Sequence, residues 1–169
     1  SDEYMDLIKA CVDKAKSEDM LAWLYDEDRW PSGAAGGLVT KDKEFRARHL
    51  LFTPVPYVGD GGIMLETSSA KASRTENGYL LAAFDVQLDK EGYLISAKKI
   101  EENEEAVYEK WYAYVEQNSE SGWYNNQTYV DTLNKKAMQR FIDITYEAYN
   151  RTIGDEFDKT VPSIFTDEP

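Results

Sequence analysis

The stretch 21–37, Leu-Ala-Trp-Leu-Tyr-Asp-Glu-Asp-Arg-Trp-Pro-Ser-Gly-Ala-Ala-Gly-Gly, constrains the chain more than any other. Leu21 to Tyr25 form an apolar run suited to a buried strand. Three acids follow at once, Asp26, Glu27 and Asp28, then Arg29, Trp30 and Pro31, and a glycine-rich loop closes the segment. Carboxylates at the C-terminal tip of a buried strand, beside an indole, suit a polar uncharged ligand such as a sugar. The last six residues, Ile164-Phe-Thr-Asp-Glu-Pro169, repeat the arrangement and end on the acid pair Asp167-Glu168.

The remaining chain reads as an alternation of helices and strands around these two tips. Residues 2–18 are amphipathic, with Leu7, Ile8, Cys11, Val12 and Ala15 on one face, Asp2 as the cap, and Cys11 expected in the core. A helix leading within about three residues into a buried strand is half of an α/β unit. The loop 31–37 matches neither the dinucleotide fingerprint nor a P-loop, and its glycines are expected to permit close backbone approach. Lys41 to Leu50 predicts a short helix with Phe45 and Leu50 inward. His49, next to Leu50-Leu51-Phe52, reads as a structural histidine. From 50 to 100 the pattern changes to antiparallel strands: 51–58 with edge-favouring prolines, a turn at Asp60-Gly-Gly62, strands at 63–66, 79–88 and 93–100, and a hairpin turn at 89–92. This is an inserted β subdomain within what is otherwise one domain.

Past an acidic segment in which Asn103 can cap a short helix, Trp111-Tyr-Ala-Tyr-Val115 predicts a third buried strand ending on Glu116. The polar loop 117–128 carries Trp123 and Tyr124 among amides. Its two readings are a solvated turn and a sugar platform, on which rings stack against C–H faces. Asn134 then caps a helix lined by Met138, Phe141, Ile142, Thr145, Tyr149 and Ile153, with Leu133 and Met138 as a hydrophobic staple and Gly154 at its end.

Composition removes several function classes. A net charge of −13 and a pI near 4.5 oppose nucleic acid, which demands clustered Lys and Arg, and oppose an anionic membrane surface. No apolar run approaches the roughly 20 residues of a spanning helix. A single cysteine and a single histidine leave no intrachain disulfide and no thiolate or multi-histidine metal site. The D-x-D-x-D-G calcium spacing is also lacking. Neither metal nor cofactor is called for.

If helices return the chain between strands, the strands ending on Asp26-Glu27, Glu116 and Asp167-Glu168 are parallel and present their acids on one C-terminal edge. Two carboxyls flanking a glycosidic bond are the minimum for its hydrolysis. Glu168 is then the candidate catalytic acid, and Asp26, Glu27, Trp30, Glu116, Trp123 and Asp167 the candidate sugar contacts. In the bland alternative these acids cap helices or hold Arg29.

Three segments carry a family resemblance: 23–37, beginning Trp-Leu-Tyr-Asp-Glu-Asp-Arg-Trp-Pro; Tyr129-Val-Asp-Thr-Leu-Asn134 with the Phe141-Ile142 helix; and Ile164-Phe-Thr-Asp-Glu-Pro169. In this order and spacing they resemble the (β/α)-barrel catalytic region of α-L-rhamnosidase-like glycoside hydrolases. The resemblance implies that Glu168 is a catalytic carboxylate at a strand end and that Asp26 and Glu27 line the sugar pocket. A full barrel takes about 250 residues, against 169 here. The expectation is therefore an α/β fold that is a partial (β/α)-barrel segment with parallel strands and an antiparallel β insert, inactive alone. Its expected partners are carbohydrate, the remainder of a parent enzyme, and a second copy through open strand edges. The rival expectations are a non-catalytic carbohydrate-binding or interaction module, and an α+β domain with the first and last strands antiparallel.

Overall fold

Helix α1 (Asp2–Ser17) begins where Ser1, rather than Asp2, accepts the Tyr4 amide, and Asp2 and Glu3 sit in its first turn against the positive end of the dipole. Only Val12 is fully buried on it, and Cys11 is exposed. The apolar stripe is thus narrower than the spacing predicts: Met5, Ile8 and Val12 face the core, while Leu7 and Cys11 lie on the flank that looks to solvent.

The computed structural model describes residues 1–57, 65–66, 71–72 and 78–168. They fall into two units, 1–47 with 119–169, and 48–118.

In the first unit, β1 (Leu24–Tyr25) runs parallel to β8 (Ile164–Phe165), with Leu24 opposite Ile164 and Tyr25 opposite Phe165. The ladder extends beyond the formal strands, because the Ala22 amide donates to Thr160 and the Asp26 amide to Phe165. Parallel pairing excludes the antiparallel α+β alternative. Helices α2 (Lys135–Ile144) and α3 (Tyr146–Ile153) come between. Asn134 caps α2, its side chain accepting from the amides of Lys136 and Ala137. Leu133 is 93% exposed, so the expected staple to Met138 does not form. The single helix expected from Asn134 to Gly154 breaks at Thr145, whose φ of −99° and ψ of −61° separate α2 from α3. The break lets Phe141 and Tyr149 serve different cores. Val12, Leu24, Tyr149, Ile153 and Val161 pack together behind the strand pair, and Val39, Val130, Ala137 and Phe141 form the other cluster.

The second unit is a four-stranded antiparallel sheet in the order β2 (Arg48–Thr53), β7 (Glu109–Gln117), β5 (Tyr79–Leu88), β6 (Leu94–Ile100), with a small antiparallel pair β3 (Leu65–Glu66) and β4 (Lys71–Ala72). β2 lies at an edge, as Pro54 and Pro56 just beyond it suggest. The hairpin turn at 89–92 forms, with Gly92 at φ 87°. The Asp60-Gly-Gly62 turn and residues 63–64 lie outside the described residues.

Three expectations are corrected here. Residues 41–50 give only a 3-10 turn at Lys43–Phe45 before β2, and Leu50 is 59% exposed. No helix forms at 101–110. The run Trp111–Val115 is not a third parallel strand: it is the middle of β7, hydrogen-bonded antiparallel to β2 on one side and to β5 on the other. A short buried apolar run looks alike in a parallel sheet and in a central antiparallel strand, so the residues themselves did not distinguish the two. The architecture is mixed α/β, with a small parallel sheet and a four-stranded antiparallel sheet. No described helix is long and apolar enough to cross a membrane.

Candidate functional site

The parallel pair β1 and β8 leaves Asp26, Glu27, Asp167 and Glu168 at its C-terminal end. Asp26 is only 4% exposed. One of its carboxylate oxygens accepts from the Ser32 hydroxyl at 2.7 Å and the other from the Tyr146 hydroxyl at 2.5 Å. Burial first, and then the bond to Asp26, pushes the Tyr146 phenol up to about 12. Ser32 is itself fully buried and tied to β8: its amide donates to the Asp167 carbonyl at 3.0 Å, and its Oγ accepts the Asp167 amide at 3.1 Å.

Above this buried layer stands a second, more open one. The Tyr25 hydroxyl donates to Glu27 and lies 3.3 Å from an Asp167 carboxylate oxygen. The bond to Glu27 is the main cause that holds the Tyr25 phenol well above its ordinary range. Tyr149, on α3, donates to the Tyr25 carbonyl at 2.9 Å, and burial raises it as well. Each of these phenols gives its one proton to a protein acceptor, Tyr25 to Glu27 and Tyr149 to the Tyr25 carbonyl, so that toward any ligand its oxygen is an acceptor. A cavity of about 500 Å³ opens here, lined among others by Tyr4, Tyr25, Asp26, Glu27, Asp28 and Tyr149. Among the described residues no Lys, Arg or His side chain lines it, though Ser1 does.

The glycine-rich loop earns its composition by close approach. A Cβ on Gly37, at φ 84°, would lie 2.8 Å from the Tyr124 carbonyl, and one on Gly33 would lie 2.7 Å from Val130. This packing fixes the aromatic loop 122–124 against the segment after β1. The Trp123 indole donates to the Trp30 carbonyl at 2.8 Å, and Asn125 donates to Gly36 at 2.7 Å. Trp30 and Trp123 are each about half exposed.

The first unit therefore brings Asp26, Glu27 and Asp167 together and seats Trp30 beside Trp123. Glu168 follows Asp167 as an exposed residue at φ 44° and does not line the cavity. Glu116 is not among the acids assembled there. It is a fully buried residue of the antiparallel sheet, opposite His49 and packed against Gly78, where a Cβ would lie 2.2 Å from its carboxylate. Its expected place on a shared parallel edge is thereby corrected, since β7 takes no part in the parallel sheet. His49 is exposed, with Nδ1 3.0 Å from the Asn118 side-chain oxygen.

Sequence reasoning missed Ser32, Tyr25, Tyr146 and Tyr149. Tyr25 precedes the acids directly, and Tyr146 and Tyr149 stand one helical turn apart, which puts both on one side of α3. That spacing was the available signal; the partner, 120 residues away, was not visible. Among the described residues no group of His, Cys, Asp and Glu is arranged to hold a metal ion. Comparison of the chain with protein-family models, with curated proteins and with solved structures found no match.

Proposed function

We propose that this chain is a segment of a glycoside hydrolase related to the α-L-rhamnosidase-like enzymes, and that the C-terminal end of its parallel strand pair binds a neutral sugar. The observation that carries the reading is the meeting of Glu27 and Asp167 on the Tyr25 hydroxyl beside a tyrosine-lined cavity. Strand-end carboxylates of this kind are where barrel enzymes keep their chemistry. Glu27 and Asp28 accept sugar hydroxyls, the Tyr25 and Tyr149 phenol oxygens accept further hydroxyl protons on their free lone pairs, and Trp30 with Trp123 offers apolar faces. Glu168 is the acid that protonates the leaving glycosidic oxygen. The second carboxylate of the reaction comes from elsewhere in the parent barrel, which also covers β1 and β8. Trp23 and Phe165 are exposed on this strand pair, and parallel sheets are ordinarily covered on both faces.

Heteronuclear NMR titration tests the binding. L-rhamnose and other neutral monosaccharides are expected to shift the amides of Glu27, Asp28 and Asp167. A uronate of the same size is expected to bind at least about tenfold more weakly, because the charged side chains that line the cavity, Asp26, Glu27 and Asp28, are all acidic. Preferential binding of the uronate would reject the assignment. On an aryl-glycoside panel the isolated chain is expected to give no turnover. Robust turnover that disappears in Glu168→Gln would overturn the inactivity.

A second reading, a non-catalytic sugar-binding module, draws on the position of Glu168 outside the cavity lining. It predicts that Glu168→Gln leaves every sugar-induced shift unchanged.

A further inference from the structure

We infer that Asp26 and Ser32 form a clamp that positions the Asp167–Glu168 tip, so that Asp26 is a positioning residue rather than a sugar contact. The geometry is a directed chain of hydrogen bonds. Both oxygens of Asp26 accept, from Ser32 at 2.7 Å and from Tyr146 at 2.5 Å. A serine hydroxyl has one proton. With that proton given to Asp26, the Ser32 lone pairs face outward, and the Asp167 amide donates into them at 3.1 Å. The return bond runs from the Ser32 amide to the Asp167 carbonyl at 3.0 Å. Both backbone groups of Asp167 are therefore spent on one residue, and Ser32 is held from its other side by the Tyr129 hydroxyl on its carbonyl, also at 3.0 Å.

The consequence falls on the next residue. Glu168 stands at φ 44°, in the left-handed region that a side chain other than glycine enters at a cost. Such conformations persist where the surroundings over-determine them. Here the surroundings are the two bonds fixing Asp167, and their polarity is set by the carboxylate of Asp26. An asparagine at 26 can turn its NH2 toward Ser32; the hydroxyl then accepts there, its proton loses the acceptor that fixed it, and that proton competes for the side on which the Asp167 amide donates, which weakens the bond. That Ser32 and Asp26 are respectively 0% and 4% exposed keeps water from substituting for either bond. The functional meaning of the clamp rests on the reading of Glu168 as the reacting acid; the clamp itself does not.

The test is amide hydrogen exchange on the full chain, read at Asp167 and, as an internal reference, at Leu24, whose amide donates to Ser163 across the same strand pair. In the unmodified chain the Asp167 amide is expected to be protected. Exchange there at the unstructured rate overturns the clamp without any variant. Ser32→Ala and Asp26→Asn are each expected to raise Asp167 exchange about tenfold or more over any change at Leu24. Ser32→Thr, which keeps the hydroxyl, is expected to restore protection, and Tyr146→Phe, which leaves the Ser32 bond intact, to change it by no more than about twofold. Equal acceleration at Asp167 and Leu24 shows general loosening and overturns the proposal, as does an unchanged Asp167 in Asp26→Asn. L-rhamnose titration separates the two layers of the argument. In Asp26→Asn the sugar-induced shift at Asp167 is expected to vanish while those at Glu27 and Asp28 remain. If the sugar shifts nothing in the unmodified chain, the sugar-binding reading fails while the exchange data still decide the clamp.

Discussion

Asp19 closes α1 in the left-handed region, at φ 57°. The amide of Met20 reaches back to the Ala15 carbonyl at 2.9 Å and that of Asp19 to Lys16 at 3.3 Å, the two bonds of a Schellman ending. Glycine is the residue this position prefers, because it has no Cβ to strain. Asp19→Gly is therefore expected to raise stability by about 0.5–1 kcal/mol, seen as a higher midpoint in denaturant with an unchanged slope; a lower midpoint would show that the Asp19 side chain contributes more than its backbone costs. Single residues also show where helical spacing misleads. Cys11 is one position from Val12, yet one is exposed and the other 1% exposed. A 100° step around a helix is enough to carry a residue from core to solvent when only a narrow stripe is covered.

At the scale of elements, α2 depends on its cap. Asn134 satisfies two amides of the first turn, and Asn134→Ala is expected to cost about 1 kcal/mol, measurable by chemical denaturation; a change below experimental error would mean that solvent satisfies those amides equally well. The link between α1 and the 3-10 turn Gly154–Glu156 is electrostatic. Lys16 donates to Glu156 at 2.5 Å, and the Thr160 hydroxyl donates to the same carboxylate at 2.8 Å. The lysine bond holds Glu156 below its ordinary value of 4.5, and the glutamate raises Lys16 above 10.5. The signs differ. The contribution of Glu156 is present above about pH 4.5 and is lost as pH falls through its lowered folded value. That of Lys16 is complete below about pH 10.5 and is lost as pH rises through its raised one. The stability difference between the native chain and Glu156→Gln is thus expected to be flat near neutrality and to shrink at both ends, in a pH series of denaturation curves. A difference that grows on acidification would contradict this pairing.

For the whole molecule, the pairing of Arg48 with Gln117 brings the two ends of the 48–118 unit side by side. A segment whose ends meet can be removed with little disturbance to the chain that carries it. Replacing 48–118 with a short Gly-Ser linker is expected to preserve the helical circular dichroism and cooperative unfolding of the first unit. A non-cooperative product would show that the first unit needs the sheet to fold. The antiparallel unit was legible as an insert from its alternation, its prolines and the turn at Gly92. That β7 joins it was not, because a short buried apolar run carries no sign of which sheet it enters.

Local chemistry in the sequence determined what it could reach. It set the cap at Asn134, the hairpin around Gly92, the amphipathic start of the chain, and the placing of acids after two apolar strand runs. Each depends on residues within a few positions of one another, so the pattern is complete in the sequence itself. Tertiary structure alone decided which strands are neighbours. It put Leu24 beside Ile164, placed Trp111–Val115 in an antiparallel sheet, and took Glu116 out of the acid group. It also chose the partners of Asp26, Ser32 six residues away and Tyr146 on a distant helix. Apolar runs carry no direction, and a buried carboxylate satisfies itself with whatever donor the fold delivers. That is why the acids at the two strand ends are visible in the chain, while their hydrogen-bond partners followed only from the fold.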